Sequence, residues 1–246
     1  MKKLDVIIPC LNEEKILEQS VTTLRGFLKE NMSDYDYSIT IADNGSKDAT
    51  LEIAKRLSEE HPEVGYNRLE QRGRGRALKK SWSESDADIV SYMDVDLSTD
   101  LKAFRPMIDA IANDNFHLAT GTRLTKDSET KRCFKREFTS RVYNILIKAI
   151  LNTKYSDAQC GFKAVDKKTF QKLLPHLKDN EWFLDTELMT IAEKTGHNIF
   201  EIPVLWIEDM DSRVNVLDTA VKYIRDLIKI RFRLKNIKNE LQKTSE

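Results

Sequence analysis

The sequence predicts an α/β protein built on a mixed, mainly parallel sheet flanked by helices, ending in C-terminal amphipathic helical structure. Strand and helix patterns alternate through the first half, which implies βαβ crossovers. The chain has 246 residues, long enough for one large domain with a substantial core. It shows no internal repeat, low-complexity tract or linker. These observations predict one domain over 1–215 and a basic amphipathic helix with its tail over 216–246.

Taken in order, Leu4 to Pro9 reads as a strand and Glu13 to Lys29 as a helix. Ser38 to Ala42 is the next strand and Asp48 to Glu59 the next helix. A basic loop at Arg72 to Arg76 and a helix to about Ser85 lead to the apolar strand Ile89 to Met93. A helix from Leu101 to Asn113, a strand from His117 to Thr122 and a long basic segment precede the helix Phe138 to Leu151. Trp182 to Thr195 reads as a helix, Ile199 to Ile207 as a strand, and Leu217 to about Lys238 as the terminal helix.

Composition narrows the function. Forty basic and forty acidic residues cancel, so no global field recruits nucleic acid. Cys10, Cys133 and Cys160 are too few and too scattered for a disulfide framework or a zinc site, and a reducing compartment fits. The start, Met1-Lys2-Lys3, lacks the pattern of a signal peptide, and no apolar run reaches the roughly 20 residues that span a bilayer.

Chemistry concentrates at predicted strand ends, where open α/β sheets bind ligands. Asp94 and Asp96 follow the apolar strand one residue apart. At i and i+2 of an extended segment they would converge, and such a pair suits Mg²⁺ or Mn²⁺ shared with substrate phosphates. A solvated turn is the alternative. Pro9-Cys10-Leu11-Asn12-Glu13-Glu14 offers free backbone N–H groups and an acid, or else an Asn cap. In Asp43-Asn44-Gly45-Ser46-Lys47-Asp48 the glycine is free to take positive φ. Capping accounts for most of that turn, but not for Asp43. Arg72-Gly73-Arg74-Gly75-Arg76 lacks the third glycine of a dinucleotide loop; Arg72 or Arg74 would pair with a diphosphate, or the loop is a solvated basic turn.

The segments around Asn12, Asp43 and Asp94 resemble, in order and spacing, the signature of inverting family 2 glycosyltransferases with the GT-A fold. The resemblance implies that Pro9, Leu11, Glu13, Asp43 and Asn44 contact a nucleotide, with Arg72 and Arg74 beside it. It also implies that Asp94 and Asp96 bind the metal and the sugar diphosphate. Gly121-Thr122-Arg123, the basic run through Arg136 with Ser140, Asp157 to Lys163, and Trp182 to Glu187 are similar to the polyprenyl-phosphate branch, most of all to dolichyl-phosphate glucose synthases. By that resemblance Arg123, Arg136, Ser140 and Arg213 bind the lipid phosphate. Trp206 to Arg213 lacks the upstream Arg of the mannose-synthase pattern, which favours the glucose branch. Ser98 stands where some relatives place another metal-contacting side chain.

The expected activity is therefore inverting transfer of a hexose, glucose from UDP-glucose, to dolichyl or another polyprenyl phosphate. Asp96 acts in catalysis with the metal, and Asp185 is the candidate base if the acceptor is a hydroxyl; otherwise it caps or orients its helix. The alternatives are a GDP-mannose-dependent synthase, a soluble sugar acceptor, or a non-catalytic nucleotide-sugar or membrane-surface module. Val142 to Leu151 suits burial or a bilayer boundary. The terminal stripe Leu217, Ala220, Val221, Ile224, Leu227 and Ile228, flanked by Lys and Arg, suits docking on the domain or an interfacial helix. Peripheral placement on the cytoplasmic face of a membrane follows, with a membrane-protein partner left open.

Overall fold

Apolar residues of Lys3–Cys10 (β1) go alternately to opposite faces of a sheet, Val6 and Ile8 to one core and Ile7 to another. A central strand buried on both faces in this way has helices above and below it. The computed structural model describes the backbone of residues 1–131, 134–207 and 216–243, and their side chains except at 131, 134–136 and 216–221. After β1 come Leu17–Asn31 (α1), Asp36–Asp43 (β2), Thr50–Glu60 (α2), Val64–Arg68 (β3), Arg74–Glu84 (α3), Ile89–Met93 (β4) and Phe104–Asn113 (α4). Leu118–Thr122 (β5), Glu129–Lys131 (β6), Phe134–Leu151 (α5), Phe162–Asp166 (β7) and Lys167–Leu173 (α6) follow. Leu184–Lys194 (α7), Ile199–Pro203 (β8), Leu205–Ile207 (β9) and Val216–Lys243 (α8) complete the chain.

Among the described residues a seven-stranded sheet runs in the order β3-β2-β1-β4-β7-β5-β8, with β6 and β9 pairing separately. All its pairings are parallel except those of β7, which is antiparallel to both β4 and β5. The mixed, mainly parallel sheet is thus the expected one. One core packs α1 and α4 on the sheet: Leu17, Val21, Leu24 and Leu28 form the buried stripe of α1, and Phe104, Met107, Ile108 and Ile111 that of α4. The opposite core gathers Trp82, Tyr92, Ile147, Leu184 and Leu188 with Leu227, Ile230 and Ile237 of α8.

Several elements differ from expectation. α1 begins at Leu17, not Glu13, because Asn12 takes φ +58° and the N–H groups of residues 12–14 bond outside their own segment. β3 and β7 were not foreseen. The strand expected over Ile199 to Ile207 breaks after Pro203, where the Val204 N–H donates to Thr122 O and the chain passes to the small sheet. In the terminal stripe Leu227 is buried but Ile224 and Ile228 are exposed, so the docked face is rotated towards Ile230 and Ile237. Leu217, Ala220 and Val221 lie outside the described side chains, and Cys133 outside the described residues.

Candidate active site

The carboxyl ends of β1, β2 and β4 open on the same edge of the sheet, with β1 between the other two. Asp43, the last residue of β2, is fully buried. It accepts from Ser46 N–H at 3.0 Å and from Arg68 Nη1 at 2.9 Å. Gly45 takes φ +75° in the turn that follows. The loops after β1 and β2 are laced together. Asn12 N–H donates to Ser46 Oγ, Glu13 N–H to Thr50 Oγ1 and Glu14 N–H to Asp48 Oδ2, while Asn12 Oδ1 accepts from Lys47 N–H. The N–H groups expected to be free for a ligand are therefore committed to side chains, a correction to the anion-cradle reading of this loop. Pro9, Leu11 and Glu13 are half-buried along it. Asn44 Oδ1 accepts from Gly73 N–H at 2.8 Å, tying the β2 loop to the basic loop, where Arg72 is exposed.

Asp94 and Asp96 do not sit on a continued strand. β4 ends at Met93, Leu97 N–H returns to Asp94 O, and Leu97 takes φ +48°, so the pair occupies a turn and pleat alternation does not orient it. Asp96 is exposed and its Oδ1 accepts from Ser98 N–H. Asp94 lies against Gly161: a Cβ there would fall 1.7 Å from Asp94 Oδ2. The other oxygen accepts from Arg74 Nη2 at 3.0 Å.

Arg74 is the hub of this side. Its Nη1 donates to Asp185 Oδ2 at 2.8 Å, and the Tyr92 and Trp182 rings each lie 4.7 Å from its Cζ. Gly73 and Gly75 earn their place through contact. A Cβ on either would press on the main chain of Asn180 and Glu181, at 2.5 and 2.7 Å. Asp185 is buried; Tyr92 Oη donates to it at 2.5 Å and Lys163 Nζ stands 3.6 Å away. Burial pushes its carboxyl up, but the Lys163 and Arg74 charges and the Tyr92 hydrogen bond outweigh this and hold it below the ordinary range. Such a carboxylate is a poor base.

On the expected acceptor side, Arg123 pairs bidentately with buried Asp157, Nε at 2.7 Å and Nη2 at 3.0 Å, and stands over the Trp206 ring. Burial alone would raise the Asp157 carboxyl; Arg123 and then Lys163 bring it below its usual value. The Nε–Nη2 edge of the guanidinium is thus already engaged. Ser140 lies partly buried on α5. The Arg136 side chain and Arg213 lie outside what is described. Sequence reasoning missed Arg68, the partner of Asp43, and gave no role to Tyr92, Gly161 or Trp182. The Asp-Ala-Gln-Cys-Gly and Trp-Phe-Leu-Asp segments were signals for the last two.

The donor set fits a hard cation. Two carboxylates, one half-buried and one exposed, share a turn. Among the described residues no group of three His, Cys, Asp or Glu side chains is arranged to hold a metal, so a cation held by this pair would take its further oxygens from elsewhere, as from water or the phosphates of a substrate.

A mainly parallel sheet with an Asp-x-Asp turn at its carboxyl edge fits a GT-A-type glycosyltransferase. The glycosyl transferase family 2 model matches residues 5–174, and the chain belongs to that family. It is 32% identical over 216 residues to the glycosyltransferase AglD of Haloferax volcanii, covering 87% of this chain and 35% of that protein. It is 28% identical over 242 residues to the dolichyl-phosphate beta-glucosyltransferase of Dictyostelium discoideum, covering 94% of this chain and 74% of the relative. This chain therefore spans about a third of the archaeal relative's length. The fold is shared with glucosyl-3-phosphoglycerate synthase from Mycobacterium tuberculosis, solved with Mn²⁺, UDP and phosphoglyceric acid: TM-score 0.66 at 16% identity, over 94% of this chain and 78% of that one.

Proposed function

We propose that this glycosyltransferase moves glucose from UDP-glucose to dolichyl or a related polyprenyl phosphate, inverting the anomeric carbon. The observation that carries this reading is the likeness to dolichyl-phosphate beta-glucosyltransferases along 94% of the chain. The state of Asp185 supports it. A phosphate acceptor is already ionised near neutral pH and needs no strong base, which matches a carboxylate committed to Arg74, Tyr92 and Lys163.

Asp43, Asn44 and the loop holding Pro9, Leu11 and Glu13 receive the nucleoside, and Arg72 stands at the diphosphate. Asp94 and Asp96 hold Mg²⁺ or Mn²⁺, which when bound offsets charge developing on the leaving UDP. Arg123, Ser140, Arg136 and Arg213 form the acceptor-phosphate side. Membrane contact fits the exposed Phe138, Val142 and Ile145 of α5 and Ile224, Ile228 and Phe232 of α8, which have Arg141, Lys148, Arg225 and Lys229 among them. Among the described residues no helix is long and apolar enough to cross a membrane. Incubation with radiolabelled UDP-glucose and a short-chain polyprenyl phosphate tests the reading: label enters a lipid-phosphate product. Transfer from GDP-mannose alone, or to a water-soluble acceptor alone, would overturn it.

A further inference from the structure

We infer that Arg74 is a positioning residue for the metal carboxylate Asp94, not a ligand of the donor diphosphate, and that Asp185 works through Arg74. The inference rests on reading Asp94 as a metal ligand.

The guanidinium has little freedom to leave. The Tyr92 and Trp182 ring centroids both lie 4.7 Å from its Cζ, and its Nη1 and Nη2 are each committed to a carboxylate. A guanidinium carries its five N–H donors in one plane, so carboxylates on both Nη1 and Nη2 fix its rotation while the two neighbouring rings limit its position. The backbone is fixed as well. Gly73 and Gly75 pack directly on the main chain of Asn180 and Glu181, and Arg76 N–H donates to Asn180 O at 3.0 Å. Turning Arg74 towards a diphosphate would strip a buried carboxylate of its nearest guanidinium, an outcome that burial makes unfavourable.

Held in place, Arg74 settles Asp94. Its hydrogen bond takes Oδ1, while Gly161, whose carbonyl accepts from Asp94 N–H at 3.1 Å, backs Oδ2. The carboxylate is left with one orientation in which to meet a cation. A ligating carboxylate that is itself hydrogen-bonded is a general device for fixing ligand geometry, and loss of the outer partner typically lowers metal affinity about 10–100-fold. Asp185 lies 111 positions away in sequence and completes the chain Tyr92–Asp185–Arg74–Asp94.

UDP binding measured calorimetrically in EDTA and in saturating Mn²⁺ separates the two roles, because the gain on adding Mn²⁺ reports the coupling between metal and nucleotide. In Arg74→Ala the EDTA affinity stays at the wild-type value and the Mn²⁺-linked gain falls about 10–100-fold. Asp185→Asn lowers the same gain, and adds little in the Arg74→Ala background. Arg74→Lys, which keeps the buried charge, falls between and covers the case in which Arg74→Ala does not fold. A loss of EDTA affinity with the Mn²⁺ gain intact would make Arg74 a diphosphate ligand and overturn the inference, as would additive effects of the two substitutions. A wild-type protein that binds UDP with no response to Mn²⁺ would overturn the metal reading itself.

Discussion

Gly161→Ala places one methyl group where Asp94 already is. The new Cβ would lie 1.7 Å from Oδ2, 2.3 Å from Cγ and 2.8 Å from Oδ1, whereas real Cβ atoms essentially never approach another heavy atom within 3.0 Å. The carboxylate must therefore retreat by at least 1.3 Å, or the bend at residue 161, just before β7, must move by as much. A misplacement of about 1 Å in a catalytic group is worth roughly 100-fold in rate, or about 2.7 kcal/mol in transition-state free energy. Stability suffers less. The lost contact is Asp94 with Arg74, the Asp94 side chain is 40% exposed, and Arg74 keeps Asp185, so the change is on the order of 1 kcal/mol. The assay is kcat/KM for UDP-glucose with a short-chain polyprenyl phosphate, alongside a thermal melt. Gly65→Ala, where a Cβ meets nothing within 4 Å, is the matched control. A folded Gly161→Ala protein with wild-type kcat/KM would refute the placement of Asp94 at the reacting centre.

Three further substitutions test other parts of the fold. Gly26→Ala, in the exposed interior of α1 with open space around it, should stabilise by about 1 kcal/mol, raising Tm by roughly 2–4 °C. Asp157→Ala leaves Arg123 buried without its bidentate partner and should cost about 3–5 kcal/mol, read from the denaturant midpoint at constant m-value. Asp5 is buried beneath Thr40, and burial raises its carboxyl above 3.8 despite hydrogen bonds from Ser85 and Thr40. The folded state thus binds the proton more tightly than the unfolded chain, so this group's contribution falls as pH rises through the folded value. Asp5→Asn should therefore raise Tm at pH 7, with the advantage shrinking as pH is lowered towards 3.8; a constant difference across that range would rule out ionisation as the cause.

The sheet was legible where strands are buried on both faces. β1 and β4 read directly as apolar runs because neither has a wet side to interrupt them. β3 escaped because it is an edge strand with only Val64 buried and a glycine second. β7 escaped because nothing local says that Phe162 to Asp166 inserts antiparallel between β4 and β5. In the site, the positions of Asp43 and Asp94 at strand ends followed from the pattern alone. Their partners did not. Arg68 is 25 residues from Asp43, Arg74 is 20 from Asp94 and 111 from Asp185, and Arg123 is 34 from Asp157, separations at which only the fold decides who meets whom. The geometry expected of Asp94 and Asp96 does not hold, since the strand ends at Met93, before pleat alternation can aim either side chain.

Buried Glu187, on α7, joins the end of the chain to its middle. One carboxylate oxygen accepts from the N–H groups of Lys178 and Asp179, and the other from Arg233 of α8 at 2.7 Å. The 178–181 stretch held on one side is the surface on which Gly73 and Gly75 rest, and they flank Arg74. A cut between 215 and 216 would thus not release an independent appendage. It would remove the counter-charge of Glu187, which reaches the Asp94 turn through the 178–181 stretch and Arg74, and uncover the apolar surface beneath Leu227, Ile230 and Ile237. The terminal helix thus braces, through Arg233 and Glu187, the stretch on which the Arg74 loop rests.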